Sequence, residues 1–162
     1  MRTLAAIGFV FCAGHACADA ESGPIFDAEA LAFCLQDEAH PAICIGSGAR
    51  ECWQDDPSTM TVGLCYAREF AFWEAARILL EQELAVQDQR IDRDLAELRG
   101  EAVAQGAGAD VIATWPAYRE ARCGYVSARF GPGSGEGPAW MECRMRVTAE
   151  HVIWLQGLAV EE

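Results

Sequence analysis

The chain has 162 residues, with 12 basic side chains against 25 acidic ones and a formal net charge of −13. All of the basic residues are arginine. This balance argues against nucleic acid, whose phosphates would be repelled, and is suited either to solubility or to salt-dependent attraction of basic partners. The length fits one domain with room for a core.

Residues 1–18 read as a signal peptide. Arg2 supplies a basic start, Leu4 to Ala13 an apolar run, and Ala16-Cys17-Ala18 a small-x-small cleavage site. The run is too short for a membrane anchor, and neither Cys12 nor Cys17 sits in a lipidation box. Removing 18 residues leaves 144, expected to form a single domain over 19–162 with its core at about 27–159. Arg2 leaves with the leader, so 11 basic residues then face 25 acidic ones, a net charge of −14.

Six cysteines remain: Cys34, Cys44, Cys52, Cys65, Cys123 and Cys143. An even number in an exported chain reads as three disulfides, contributing about 3 kcal/mol each in the loop-entropy picture. Cys123 and Cys143 flank a glycine-rich stretch and are expected to pair together. The first four are expected to pair among themselves, in an order the spacing leaves open. No Cys-x-x-Cys is present, and the spacings do not match a zinc site.

In chain order, 19–24 reads as a tail. A short helix begins at Phe26 or Asp27 and ends before Pro41. Ile43 to Trp53 is a second short helix, weakened by Gly46 and Gly48. Ser58, Thr59 or Thr61 can cap the long helix that comes next.

The dominant stretch is Ser58 to Arg99, read as one amphipathic helix about 60 Å long. Tyr66, Phe70, Trp73, Arg77, Leu80, Leu84, Gln87, Ile91, Leu95 and Leu98 recur at steps of three and four. Cys65, Phe72, Leu79 and Val86 widen this stripe, while Glu69, Glu74, Glu81, Glu83, Asp88 and Asp94 are placed largely off it. From Gln82 onward the stripe thins, and that end is expected to project or fray. Gly100 to Asp110 reads as a turn. The next helix carries Val111, Ile112, Trp115, Tyr118, Arg119, Arg122 and Cys123. Pro116 means that it either starts at Thr114 or is kinked, and the shared face of Val111, Ile112 and Trp115 favours a kink. Gly131 to Pro138 reads as a loop. The last helix, Ala139 to Ala159, has Trp140, Cys143, Val147, His151, Trp154, Leu155 and Leu158 on its apolar side. The resulting fold class is all-α: a disulfide-stapled antiparallel helical bundle with one long central helix and two short N-terminal helices.

Catalytic signals are weak. The glycine loop lacks a phosphate-binding lysine, and Ser134 is not in a nucleophile elbow. His40 and His151 read as surface or boundary histidines, so neither a metal nor a cofactor is expected. If two carboxylates did acid–base work, the candidates would be Glu69, Glu120 and Glu142. On the Trp115–Cys123 helix, Trp115 and Tyr118 are expected to wedge against the long helix. Arg119 and Arg122 are expected to pair with carboxylates such as Glu69 or Glu74.

Taken in order, these residues resemble the LprI-like lysozyme-inhibitor domain family. Thr59, Thr61, Cys65, Glu69 and Trp73 match its opening; Trp115, Tyr118, Arg119, Glu120 and Cys123 match its second motif. Gly131 to Gly137, Cys143 and Thr148 match its close, and the resemblance spans Leu31 to Leu158. Departures fall at Ile78, Leu79 and Leu80, at Ile112 and at Pro116. The resemblance implies Trp73, Trp115, Tyr118, Arg119 and Glu120 as structural motif residues, and inhibition of a lysozyme by binding. Such a partner would be basic, complementing the acidity.

The functional expectation is therefore an exported, periplasmic or secreted, non-enzymatic acidic binding protein. Its stapled loop at Gly133, Ser134 and Glu136 is the candidate partner contact. The alternatives are a cell-envelope accessory that binds a protein through an apolar groove, and a wall-directed hydrolase.

Overall fold

A computed structural model describes residues 23–37, 39–99 and 103–159. The expected signal peptide at 1–18, part of the expected tail and the first residues of the expected turn at 100–102 lie outside the described residues. Five α-helices are described: α1 (Ala28–Asp37), α2 (Ser47–Trp53), α3 (Thr59–Arg99), α4 (Ala104–Ala128) and α5 (Glu136–Ala159). A single 3₁₀ turn, Pro41–Cys44, joins α1 to α2. The all-α class and the long helix stand as expected.

The second short helix is not continuous, because Gly46 adopts φ 81° and splits Ile43 to Trp53 into the 3₁₀ turn and α2. Glycine reaches that left-handed region without steric cost. At Gly48 a Cβ would lie only 2.7 Å from the Phe26 ring, so the small residue lets the incoming chain cross α2. Three disulfides staple the described chain: Cys34–Cys44, Cys52–Cys65 and Cys123–Cys143. The first two tie α1 and α2 to the root of α3.

Ser58 caps α3. Its Oγ accepts from the Thr61 N–H at 3.3 Å and its carbonyl from Val62 N–H at 2.9 Å. Asp56 accepts from the hydroxyl of Thr61, and this hydrogen bond holds its carboxyl below the usual value.

Successive long helices run antiparallel, so α3 and α5 point the same way with α4 reversed between them in sequence. Gly63 faces Pro138 and Phe70 faces Arg144, whereas Glu74 meets Arg119 and Asp88 approaches Gly108. Two apolar clusters result. One joins Leu31, Cys44, Ala49, Tyr66 and Trp73 to Met145, Ala149 and Val152 of α5. The other joins Trp115 and Cys123 of α4 to Cys143 and Val147 of α5. The Trp73 face of α3 is thus covered by α5 and the short helices, not by Trp115 to Cys123.

Several expected boundaries and faces move. α4 starts at Ala104, so 104–110 is helix and not turn, and it continues through Pro116. Thr114 Oγ1 donates to the Asp110 carbonyl at 2.8 Å, a side-chain back-bond of the kind that accompanies bending. α5 starts at Glu136, drawing Glu136, Gly137 and Pro138 out of the loop; a proline in a first turn removes only an N–H that has no intrahelical partner. Leu79 and Val86 stay exposed, because only the first part of α3 is packed broadly enough to cover a second line. The distal part of α3 does not project alone. Asp92 accepts hydrogen bonds from the N–H groups of Val103, Ala104 and Gln105 at 2.9 Å, capping α4 from the neighbouring helix.

Candidate functional site

The most deeply buried acidic group is Glu69, expected off the apolar stripe but fully enclosed. Helix α2 opens at Gly46, which has no side chain to cap it. Glu69 supplies the missing acceptor from α3: Oε1 accepts from Gly46 N–H at 2.7 Å and Oε2 from Ala49 N–H at 2.7 Å. Oε1 also accepts from the Trp73 indole at 3.0 Å. Three aligned donors and the positive end of α2 stabilise the anion where water cannot reach it. This explains the motif pair Glu69 and Trp73 structurally. With its oxygens occupied, Glu69 is positioned as a cap and not as an acid or base opposing a second carboxylate.

A charged ladder crosses from α3 to α4. Arg77 holds Glu74 through both Nε and Nη2, at 3.0 and 2.9 Å, and also reaches Glu81. Arg119 of α4 meets the same Glu74 at 2.8 Å and Thr148 at 3.4 Å. Burial pushes the Glu74 carboxyl up, but hydrogen bonds from Arg77 and the charges of Arg119 and Arg77 outweigh it and hold the group low. Of the two carboxylates expected for Arg119, the structure selects Glu74. Glu81, expected off the stripe, is buried beside Arg77. A long anionic side chain can occupy a core face when an arginine travels with it at the helical spacing of four.

The second motif separates by face. Trp115 and Arg119 are buried, whereas Tyr118 is 53% exposed and Arg122 reaches Glu150 at the surface. Tyr118 is therefore no wedge against α3, and Trp115 packs against α5 instead. Its ring stacks on His151 at 3.8 Å, and His151 in turn faces Trp154 at 5.4 Å. His151 is thus not a surface histidine: burial and nearby Arg77 lower its pKa to about 4. Glu120 lies 3.4 Å from Arg119 and 3.2 Å from Arg144, and Glu142 pairs with Arg146 at 2.9 Å. Arg144 also lies over the rings of Phe70 and Trp140, at 4.4 and 4.5 Å. Among the described residues, no group of three His, Cys, Asp or Glu side chains is arranged to hold a metal ion.

Two surface features remain. At the root end, Gly133 and Ser134 in the bend between α4 and α5, and Glu136 at the start of α5, are exposed beside the exposed rings of Tyr125 and Phe130. The bend is ordered by hydrogen bonds from Gly133 N–H to Gly131 O at 2.9 Å and from Glu136 N–H to Gly133 O at 3.1 Å. At the opposite end, α3, α4 and α5 enclose an open groove of about 460 Å³. Periodicity could not reveal this groove, since it depends on where three helices diverge.

The lysozyme inhibitor LprI family model matches residues 52–155. No curated protein and no solved structure matches the chain.

Proposed function

The chain belongs to the lysozyme inhibitor LprI family, and from that premise we propose that it is an exported acidic protein that inhibits a lysozyme, or another basic cell-wall enzyme, by binding it. The family match carries this reading, and it points to an inhibitor and not to an enzyme. The three disulfides support an extracellular or periplasmic setting, where oxidised cysteines persist. Among the described residues, no helix is long and apolar enough to cross a membrane. The net charge of −13 complements a basic enzyme and would hasten encounter at low salt.

We assign the first contact to Gly133, Ser134 and Glu136. A bend already ordered by its own hydrogen bonds, and stapled at Cys123–Cys143, loses little entropy on binding. The test is a cell-wall lysis assay with purified disulfide-bonded protein, at low and at physiological salt. Dose-dependent loss of lysis, steeper at low salt and weakened by a Ser134→Arg/Glu136→Arg variant, is the expected result. Undiminished lysis at a clear molar excess and at both salts would remove lysozyme as the target.

A further inference from the structure

The distal ends of the long helices leave a concave surface that the other described residues do not fill. Its walls are Leu84 and Ile91 of α3, Val111 and Ile112 of α4, and Trp154 and Leu158 of α5. Four of these, Ile91, Ile112, Trp154 and Leu158, remain between 38 and 49% exposed. Side chains brought into one hollow from three helices differ from singly scattered surface apolar residues. The ionisable groups of the lining are both acidic, Glu81 and Asp88. Glu81 is bound to Arg77, whereas Asp88 has no cationic partner among the described residues. Burial and the neighbouring Asp92 charge raise the pKa of Asp88, the condition of a carboxylate that a cation would relieve.

The surrounding charge points the same way. The described side chains of 81–112 include six acidic and two basic ones, whereas those of 113–159 include four acidic and five basic. The excess negative charge of the long helices is therefore gathered at the groove end and is absent from the α4–α5 hairpin. A second copy of this chain or an anionic lipid surface would bring like charge to that end and be disfavoured.

We propose that the groove docks a basic amphipathic helix of a partner protein, its aliphatic face on Ile91, Ile112, Trp154 and Leu158 and an arginine or lysine against Asp88. The α3 wall from Glu81 to Ile91 is about 15 Å long, which accommodates about three turns of such a helix. This docking does not rest on lysozyme inhibition, whose proposed contact lies about 30 Å away along α5.

The test uses fluorescence anisotropy with a labelled 12-residue helical peptide carrying leucine at i, i+4 and i+7 and arginine beside them. Two comparison peptides replace its arginines with glutamate or its leucines with serine. The full disulfide-bonded protein should bind the first peptide saturably at 1:1 and the other two at least roughly tenfold more weakly. Asp88→Asn and Leu158→Ser, both changes at the groove lining, should each weaken binding several-fold, whereas Glu51→Gln on α2 should leave it unchanged. Circular dichroism of each variant establishes that the fold is retained. Equal binding of the serine peptide, equal binding of the glutamate peptide, or equal losses with Glu51→Gln would overturn the proposal. So would a dimer in sedimentation equilibrium that Leu158→Ser dissociates, since the occupant would then be a second copy.

Discussion

Glu69 offers the sharpest test of how the N-terminal part of the bundle is held. In Glu69→Gln the side chain keeps its length but only one acceptor oxygen. If that oxygen stays with Gly46 and Trp73, the new NH₂ group faces the Ala49 N–H, donor against donor, where a 2.7 Å bond stood. A buried donor stripped of its partner costs about 1–3 kcal/mol, and a bond to a charged acceptor is worth more than a neutral one. The substitution should therefore cost about 2–4 kcal/mol. Glu69→Ala abandons all three donors and opens a cavity, and should cost about 4–6 kcal/mol. For a chain of this size the glutamine variant corresponds to a fall in Tm of about 10 °C. Urea and thermal unfolding of the oxidised protein, followed by far-UV circular dichroism, measure both. Glu83→Gln, exposed on the same helix, is the control. A Glu69→Gln protein within about 0.5 kcal/mol of wild type, no worse than the control, would refute the cap as a source of stability.

Two single groups give further expected outcomes. His151 has a folded-state pKa of about 4, below its ordinary 6.5, so the unfolded chain takes up its proton first as pH falls. Its contribution is present above pH 6.5, is lost progressively down to about pH 4 and is then constant, a change of about 3 kcal/mol. Unfolding free energies between pH 7 and 4 should show this slope reduced in His151→Phe, which retains a ring against Trp115; an unchanged slope would contradict the assignment. Asp92→Ala should cost about 1–2 kcal/mol by uncapping α4. Hydrogen exchange should accelerate first at Val103, Ala104 and Gln105, the three amides Asp92 accepts from, and uniform acceleration across the bundle would argue against a local cap.

The legible parts of the fold are those that depend on neighbours in sequence. The three-and-four rhythm from Tyr66 to Leu84, the proline that ends α1 and opens the 3₁₀ turn, and the grouping of the cysteines all report local geometry, and the structure agrees with them. Periodicity misplaces the acidic residues because it treats each charge as solvent-seeking. Glu69 and Glu81 are inside because donors from α2 and from Arg77 meet them there. Likewise the sequence of α5 suggests one apolar side, yet the helix packs Met145, Ala149 and Val152 into the α3 cluster and Cys143 and Val147 into the α4 cluster. A helix wedged between two others buries more of its circumference than one stripe can indicate.

By itself the sequence determined that the chain is acidic, helical and cross-linked, with a long helix rooted at Cys65, because charge, period and cysteine spacing are properties of the chain alone. Only the tertiary structure decided which carboxylates are inside, that Asp92 of α3 caps α4, and that Asp88 lies in the wall of an apolar groove. Each of those depends on groups far apart in sequence meeting within a few ångströms. Burial energy and hydrogen-bond geometry set such meetings, and they leave no local periodic signal.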